Sequence, residues 1–514
     1  MASANVGADI APSEAAARMQ INSRKVSVSK ERKRVPVMGD HLVPNSKRVA
    51  IVGGGLVGAM EALYMAKRGF DVDLYEMRSD IRLEEMVEGR SINLALSTRG
   101  REALKAVGLE DEVVTTGIPM FGRRIHSLTG EQSFIPYGKK EQCILSVDRR
   151  KLNETLLTAA EKCPNVDMHF DHKLSRCNIK TGEMTYINYD NTRETTADLV
   201  VGCDGAFSAV RRSAMRSTRL NYQQEYIPHG YKELTMPPKE DGTHAMAKNC
   251  LHIWPRNEFM MIALPNQDGS FTCTMFCPFD FFDSVKDETT LIERFEQFFP
   301  DSIPLFGRDR LVEMYFTNPV GSLVSVKCNP HNVGGRCVLL GDAAHAMVPF
   351  YGQGMNCGFE DCLLLDELLL KNKLDFAATL DEYNSKRQPD AYAICDLAMY
   401  NYIEMRSLVN SKSFLLRKKV DSLLNYLFPR SFIPLYSMVT FSRIPYGEVI
   451  ERRKRQDKLV KIGAGVFAFT AGALLCYGVY KRRELLHLAL RYFGNLITLT
   501  STPQKTIAGY LKLS

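Results

Sequence analysis

Residues 48–76 read RVAIVGGGLVGAMEALYMAKRGFDVDLYE, and this stretch decides the fold. A short run rich in β-branched residues precedes Gly53, Gly55 and Gly58, a helical stretch follows, and a second apolar run ends at Glu76. This is the strand–GxGxxG–helix–strand–acid pattern of a dinucleotide-binding βαβ unit. The start of its helix presents the positive end of the helix dipole to phosphate groups.

Each glycine and the acid in that pattern have a separate physical task. Gly53 permits the tight turn, Gly55 lets the backbone approach a pyrophosphate, and Gly58 lets helix and strand pack closely. Glu76 accepts hydrogen bonds from a ribose diol and repels a 2′-phosphate, which indicates FAD or NAD rather than NADP. A second match at 463–468 has no strand before it and no acid after it, so we interpret it as chance.

Two further segments distinguish FAD from NAD. Residues 199–211 read LVVGCDGAFSAVR, and residues 338–349 read VLLGDAAHAMVP before the glycine-rich run 350–356. An Asp at the end of a strand, here Asp342, hydrogen-bonds a polyol chain, and outward backbone N–H groups hold the electron-rich edge of an isoalloxazine. Asp342 alone would be explained as a helix cap. All three patterns in this order favour FAD.

Composition excludes several classes of protein. The 514 residues are 45% hydrophobic and 24% charged, which is typical of a folded enzyme and not of a disordered or fibrous chain. Positive charge is concentrated at the ends, at +5 over residues 1–48 and +9 over 451–514, and the body between them carries −7. We therefore expect no nucleic-acid partner. Thirteen cysteines without CxxC and ten histidines without HExxH indicate reduced thiols and no metal site.

The two ends differ in character. Residues 1–47 lack apolar periodicity, so we predict a flexible tail, and their four carboxylates count against a transit peptide. Residues 462–480 form a nineteen-residue run without charge between two basic clusters. This length matches a helix that crosses a bilayer, and flanking cations suit phospholipid headgroups. We predict a transmembrane helix that anchors the chain in a phospholipid membrane.

Three motifs, GxGxxG at 53–58, DGxxSxxR at 204–211 and GDAAH at 341–345, resemble those of the flavoprotein aromatic hydroxylases related to p-hydroxybenzoate hydroxylase. Within that group, residues 48–455 resemble the kynurenine 3-monooxygenase family. The resemblance is densest in GRSINLALS (89–97), YIPHGYKEL (226–234), LHIWPRNEFMMIALPN (251–266), GQGMNCGFEDC (352–362), MYNYIEMR (399–406) and FIPLYSMVTFSRI (432–444).

The resemblance implies an activity and a location. The enzyme would be an FAD-dependent monooxygenase that consumes NADPH and O2 and converts L-kynurenine to 3-hydroxykynurenine. It would lie in the outer mitochondrial membrane with its catalytic body facing the cytosol, and no protein partner is implied. An arene activated by an amino group is already nucleophilic, so no catalytic triad is needed, and we interpret His345 as structural.

The resemblance also implies site residues. Those expected to contact FAD, besides Gly53, Gly55, Gly58 and Glu76, are Val57, Tyr75, Met77, Arg78, Ala95, Arg149, Leu174, Ala209, Asp342, Met355 and Asn356. Those expected around the substrate amino acid are Arg123, Tyr137, Asn401 and Tyr436. The chemistry is suitable, because a guanidinium binds a carboxylate through two hydrogen bonds while hydroxyl and amide groups add further bonds.

The predicted fold class is α/β, with a Rossmann-like FAD-binding domain interleaved with an antiparallel substrate sheet, followed by C-terminal helices and the transmembrane helix. The FAD domain takes 48–215 and 325–385, and the substrate sheet takes 216–324, with strands near 251–254, 259–263 and 270–277. A helical cap takes 386–455 and the membrane anchor region takes 456–514. A turn at 266–269 joins the last two strands named.

Two other functions remain open at this point. Another membrane-attached FAD monooxygenase or reductase, acting on lipids, would share the FAD motifs but need an apolar tunnel in place of Arg123 and Asn401. A non-catalytic flavin-bound membrane adaptor would bind FAD without substrate-stimulated NADPH oxidation.

Overall fold

The computed structural model describes residues 47–85, 93–138 and 141–500. The predicted flexible tail, apart from Lys47, lies outside the described residues. The strands are β1 Arg48–Val52, β2 Asp71–Tyr75, β3 Asn93–Leu96, β4 Ile118–Met120, β5 Gly122–His126, β6 Gln132–Pro136, β7 Ile144–Asp148, β8 Val166–His169, β9 Lys173–Asn178, β10 Glu183–Asn188, β11 Asn191–Thr196, β12 Leu199–Gly202, β13 Asn221–Met236, β14 Cys250–Arg256, β15 Phe259–Pro265, β16 Phe271–Pro278, β17 Gly321–Asn329, β18 Asn332–Val333 and β19 Cys337–Leu339.

The helices are numbered separately. They are α1 Leu56–Lys67, α2 Thr98–Ala106, α3 Glu110–Thr116, α4 Arg149–Glu161, α5 Ala209–Ser217, α6 Phe279–Ser284, α7 Glu288–Phe298, α8 Ile303–Phe306, α9 Arg308–Thr317, α10 Asp342–His345, α11 Gly354–Lys371, α12 Phe376–Arg406, α13 Lys412–Leu427, α14 Leu435–Thr440 and α15 Tyr446–Thr500.

The nucleotide-binding half is built on a six-stranded sheet with the order β18-β19-β12-β1-β2-β8. Every pair in it is parallel except β18 with β19. The last four residues of β1 and all of β12 are buried, because helices cover the two faces of a parallel sheet. This arrangement brings the ends of β1, β12 and β19 to one edge, where the three FAD motifs begin.

The substrate-side sheet has seven strands in the order β17-β13-β16-β15-β14-β5-β6. The three strands expected near 251–277 are present as β14, β15 and β16, and the turn at 266–269 is closed by a hydrogen bond from the Asn266 N–H to the Ser270 carbonyl. Gly269 takes a φ of +86°, which glycine adopts without strain.

This sheet extends beyond the predicted range. Strands β5 and β6 come from residues 122–136, ahead of the expected start at 216, and β5 pairs with β14 in parallel. The other pairs are antiparallel. The partners in the β5–β14 pair lie about 130 residues apart, so local sequence patterns gave no indication of it. The chain therefore passes into the substrate sheet earlier than the sequence suggested.

Long helices complete the molecule. Helix α12 packs against the substrate sheet and α11, and α15 starts beside it. Within the described chain, one helix, Tyr446–Arg491, is long and apolar enough to cross a membrane, and its apolar window is not buried by protein. That helix includes the run 462–480 from which the transmembrane helix was predicted.

Candidate active site

The glycine-rich turn after β1 packs closely against neighbouring backbone atoms. Gly53 has a φ of +107°, and a Cβ there would lie 2.5 Å from the carbonyl oxygen of Cys203. A Cβ at Gly58 would lie 1.8 Å from the carbonyl oxygen of Gly53. Helix α1 therefore begins directly against the turn, and a side chain at either position would force the two apart.

The start of α1 is suited to a phosphate group. Gly55 is the N-cap residue, and among the described residues no side chain caps this helix. A Cβ at Gly55 would meet nothing within 4 Å, so space is open in front of the first-turn N–H groups. Uncapped N–H groups facing open space bind an anion well, so this turn fits the pyrophosphate of FAD.

Glu76 orders the loop beside that turn. One carboxylate oxygen accepts from the Gly54 N–H at 2.7 Å, and the other accepts from the Arg78 N–H at 2.9 Å. Both oxygens have remaining lone pairs for a ribose diol. The expected contacts Met77 and Arg78 are exposed on the loop that follows β2.

A second group of the expected FAD residues packs around the ring of Tyr75, the last residue of β2. Tyr75 stacks on Tyr186 with a ring-centre distance of 4.0 Å. Leu174 and Ala209 belong to the same apolar cluster as these two rings. The structure thus brings together three residues, Tyr75, Leu174 and Ala209, that are far apart in the sequence.

The loop after β19 packs against Val57 at the start of α1. A Cβ at Gly341 would lie 2.9 Å from Val57 Cγ2, and one at Gly358 would lie 2.5 Å from the same atom. The Asp342 side chain is accessible to solvent, yet many protein atoms lie around it. This is expected of a carboxylate on the wall of a cleft. Burial raises the pKa of Asp342, and the positive charges of His345 and Arg149 oppose this rise.

Asn356 lies in the first turn of α11 and fixes the glycine-rich loop. Its amide nitrogen donates to the carbonyls of Ala95 and Gly352, each at 2.8 Å, and its amide oxygen accepts from the Ser97 N–H at 2.8 Å. The Asn356 side-chain amide is thereby hydrogen-bonded to backbone groups of the protein. Any contact of Asn356 with a flavin would therefore come from its backbone, while Ala95 and Met355 line the same loop.

The DGxxSxxR motif, residues 204–211, links the start of α5 to the GDAAH segment. Asp204 accepts from the N–H groups of Ala209 at 2.6 Å and Val210 at 3.1 Å, at the start of α5. Burial raises the pKa of Asp204, and the hydrogen bonds that the carboxylate accepts make this rise smaller. Arg211 donates to the Ala343 carbonyl at 2.6 Å, so the motif connects α5 to the GDAAH segment.

Three of the four expected substrate residues pack together, with Arg123 and Tyr137 buried and Tyr436 partly buried. The Arg123 guanidinium lies 4.6 Å from the ring centre of Tyr436 and 5.9 Å from that of Tyr137. The two rings stack at 5.0 Å. Within the described residues, Arg123 Nε and the Tyr137 hydroxyl are buried without a hydrogen-bond partner. Unused donors in a buried aromatic pocket fit a ligand carboxylate.

The fourth, Asn401, lies on α12 and is turned toward the loop. Its amide nitrogen donates to the Phe350 carbonyl at 2.7 Å. Tyr351, the next residue, stacks on Tyr436 at 5.6 Å and directly precedes Gly352. The pocket around Arg123 is therefore continuous with the loop that carries Asn356.

A carboxylate that sequence reasoning did not select faces Arg123. Glu404 Oε1 lies 3.1 Å from Arg123 Nη1 and 2.7 Å from Lys418 Nζ. Burial raises the pKa of Glu404, but Arg123 and Lys418 outweigh it and the net shift is downward. Glu404 follows Asn401 by three positions on one helix, and this spacing was the available signal for it.

The chain is similar to known proteins over most of its length. The model of the FAD binding domain family matches residues 46–398. A kynurenine 3-monooxygenase of Sus scrofa is 50% identical over 455 residues, covering 88% of this chain and 91% of that protein. One of Anopheles gambiae is 52% identical over 449 residues, covering 86% and 92%. The chain belongs to the kynurenine 3-monooxygenase family.

Solved structures agree on the fold of this kynurenine 3-monooxygenase family member. The tetrameric 2-methyl-3-hydroxypyridine-5-carboxylic acid oxygenase aligns with a TM-score of 0.58 at 20% identity, covering 70% of this chain and 93% of that one. A p-nitrophenol 4-monooxygenase from Pseudomonas putida aligns with a TM-score of 0.57 at 19% identity, covering 75% and 94%. The predicted fold class and the FAD-binding domain are confirmed.

A buried ionic network in this family member was also not selected from sequence. Asp361 accepts from His345 Nε2 at 2.7 Å and from Arg387 Nε at 2.6 Å. His345 and Arg387 outweigh burial and lower the pKa of Asp361. His345, Cys357 and Asp361 approach within 4.8 Å, as metal ligands do. Arg387 donates to both Asp361 and Cys357, so a guanidinium already supplies the positive charge there.

Proposed function

We propose that this chain hydroxylates L-kynurenine to 3-hydroxykynurenine with FAD, NADPH and O2. The observation that carries the proposal is the buried Arg123 beside Tyr137 and Tyr436, next to the loop that continues to Asn356. The family's members that match this chain are named kynurenine 3-monooxygenases, which supports the same substrate.

FAD is proposed to lie along the edge where the three motifs meet. Gly53, Gly55, Gly58, Val57 and Glu76 would hold its pyrophosphate and ribose. The remaining contacts would come from Tyr75, Met77, Arg78, Ala95, Arg149, Leu174, Ala209, Asp342, Met355 and Asn356. Bound there, FAD would supply the chemistry of accepting a hydride from NADPH and of activating dioxygen so that one oxygen atom is transferred to an aromatic ring.

The protein's own contribution is to bind, orient and exclude water. Arg123 would bind the α-carboxylate of the amino acid, and the hydroxyls of Tyr137 and Tyr436 would add hydrogen bonds. Asn401 would fix the loop at Phe350 and pair with the amino acid head group. Burial of the aromatic rings keeps water out, which protects an activated oxygen from unproductive release as peroxide.

The membrane location is part of the proposal. The long apolar helix α15 suggests a membrane anchor, and we propose the outer mitochondrial membrane with the catalytic body facing the cytosol. Deleting residues 459–514 should move the protein from the membrane pellet to the supernatant. A truncated protein that still pellets with membranes would contradict anchoring through this helix.

The activity test uses the full chain purified in detergent. We expect a flavin absorption spectrum, NADPH oxidation stimulated by L-kynurenine, and a product heavier by one oxygen atom in mass spectrometry. A lipid monooxygenase or reductase would respond to lipid substrates instead, and a flavin-bound adaptor would show no substrate-stimulated oxidation. A colourless protein that takes up no FAD on reconstitution would contradict the proposal.

A further inference from the structure

Helix α12 holds one residue of the glycine-rich loop at two points. The amide nitrogen of Asn401 donates to the Phe350 carbonyl at 2.7 Å. The next residue, Tyr402, stacks its ring on the Phe350 ring, with the ring centres 3.8 Å apart and the planes 12° from parallel. Two consecutive residues of one helix therefore fix both the backbone and the side chain of Phe350.

The Tyr402 ring is buried and is itself held in place. The His229 ring meets it edge to face at 5.4 Å, and the Arg406 guanidinium lies 4.7 Å from its centre. Arg406 Nη1 donates to the Glu258 carbonyl at 3.1 Å, and the Asn257 N–H donates to the Arg406 carbonyl at 2.8 Å. Contacts from β13 and from the β14–β15 turn thus limit movement of the Tyr402 ring.

Phe350 lies at the start of the segment that connects the substrate pocket to the flavin loop. Tyr351 follows it and stacks on Tyr436 at 5.6 Å. Gly352 comes next with a φ of +65°, and its N–H donates to the Pro349 carbonyl at 2.9 Å. Because the backbone has only two soft dihedral angles per residue, a shift of Phe350 in so tight a turn also moves Tyr351 and Gly352.

The Phe350 ring depends on its neighbours for its position. Phe276 of β16 meets it at 4.9 Å, with the two ring planes 63° apart. Phe276, Phe350 and Tyr402 belong to one buried apolar cluster, in which side chains fill the space between the substrate sheet and α12. Loss of the Tyr402 ring would open a cavity beside Phe350, and the Phe350 ring could then turn into that cavity.

We propose that Tyr402 is a positioning residue for the substrate pocket and the flavin loop. Its ring fixes the side chain of Phe350, and Phe350 in turn holds Tyr351 against Tyr436 and fixes the start of the glycine-rich loop. What this positioning serves rests on the proposed hydroxylase function. Tyr402 is not among the residues expected from the sequence to contact FAD or substrate, although it directly follows Asn401.

Hydrogen exchange of the full chain with FAD in detergent tests the positioning directly. In Tyr402→Leu, the backbone amides of residues 350–356 should exchange roughly tenfold faster than in the wild type, because the loop opens locally more often. Tyr402→Phe keeps the ring and should retain the wild-type rate. Phe295→Leu removes a buried ring from α7 and should leave exchange of the loop unchanged. Unchanged exchange in Tyr402→Leu, or an equal rise in either control, would overturn the proposal.

Phe350→Leu removes the same contact from the side of the loop. It should accelerate exchange of residues 350–356 as Tyr402→Leu does, and the double variant should exchange no faster than the faster single one, because both changes break one interaction. Multiplied effects in the double variant would mean that Tyr402 acts on the loop by another route, which would overturn the proposal. If Tyr402→Leu does not fold, Tyr402→Met takes its place in both series, because the methionine side chain adapts to fill an irregular space.

Turnover separates this proposal from the proposed function. With L-kynurenine, Tyr402→Leu should continue to oxidise NADPH, but the fraction that yields 3-hydroxykynurenine should fall roughly threefold, because a displaced loop admits water. Each uncoupled turnover converts NADPH, a proton and O2 to NADP+ and H2O2. An unchanged product fraction would overturn the role of Tyr402 in the reaction. A wild-type chain that does not hydroxylate L-kynurenine would contradict the proposed function, while hydrogen exchange would still decide whether Tyr402 positions the loop.

Discussion

Lys418 Nζ lies 2.7 Å from Glu404 Oε1, and that same oxygen lies 3.1 Å from Arg123 Nη1. One carboxylate oxygen thus pairs with a lysine of α13 and with an arginine of the substrate sheet. Glu404 is largely buried, so solvent screens its negative charge little. The charge is therefore stabilised by both cations. Helix α13 is in this way joined to the substrate pocket.

Lys418→Met should raise KM for L-kynurenine and change kcat little. Without the ammonium group, Glu404 pairs more strongly with Arg123 and competes with the substrate carboxylate for it. A change of about 1 kcal/mol corresponds to roughly a fivefold higher KM. Steady-state kinetics in detergent measures this, with Lys286→Met as the control because Lys286 is an exposed lysine. An unchanged KM would exclude Lys418 from positioning Arg123.

Arg123→Ala should leave the flavin spectrum intact and raise KM for L-kynurenine by roughly a hundredfold. Loss of a buried charge pair of about 3 kcal/mol gives this factor. Arg124→Ala is the matched control, because successive side chains of a strand point to opposite faces and Arg124 packs over Phe134 instead. If both variants raise KM equally, the effect comes from the strand and not from Arg123.

Gly58→Ala and Gly55→Ala should fail in different ways. The methyl group at Gly58 would overlap the Gly53 carbonyl, so that variant should unfold at a lower temperature whether or not FAD is added. The methyl group at Gly55 meets open space, so that variant should fold normally and bind FAD at least tenfold more weakly. Flavin titration of the apoprotein and thermal unfolding distinguish these outcomes. Normal FAD affinity in Gly55→Ala would place the pyrophosphate elsewhere.

The sequence was most informative where function depends on short-range backbone geometry. The turn at Gly53 and the acid at Glu76 lie within one βαβ unit, so spacing alone identified both. The interaction of Arg123 with Glu404 spans 281 positions, and no local pattern encodes it. Arg123 and Arg124 form a doublet that suggests two solvated residues, and only the register of β5 separates the buried residue from its neighbour. Pairing of β5 with β14 was missed for the same reason.

Glu233→Gln should stabilise the protein at pH 8 and have little effect at pH 5. Burial raises the pKa of Glu233 from 4.5 to about 7, with Arg149 opposing. The native state therefore binds this proton more tightly than the unfolded chain, and its stabilising contribution falls as the pH rises from 4.5 to 7. Thermal unfolding across this range measures the difference, with exposed Glu225→Gln on the same strand as control. A difference that does not vary with pH would show that Glu233 titrates normally.

A chain of hydrogen bonds on the substrate sheet connects His252, His126 and Asp301. His252 Nε2 lies 2.9 Å from the Ala247 carbonyl, which can only accept, so that nitrogen carries a proton. Burial lowers the pKa of His252 to about 4, so the ring is neutral and its Nδ1 accepts from His126 Nε2 at 2.8 Å. His126 Nδ1 lies 2.7 Å from Asp301 Oδ2. His126 thus joins the neutral His252 ring on one side to the Asp301 carboxylate on the other.

Asp301→Asn should destabilise the protein by about 1.5–3 kcal/mol, because it replaces the charged acceptor of the buried His126 ring and of the Trp254 indole by a neutral amide. Burial raises the pKa of Asp301, but hydrogen bonds from His126 and Trp254 outweigh it, and the net pKa lies below 3.8. Its stabilisation is therefore complete above pH 3.8 and is lost as the pH falls through the lower native-state value. Thermal unfolding at pH 5 should show a lower stability than the wild type, and the difference should shrink below pH 3.8. Asp283→Asn, at an exposed position, should change little at any pH, and an equal effect of the two variants would contradict the role of the Asp301 carboxylate.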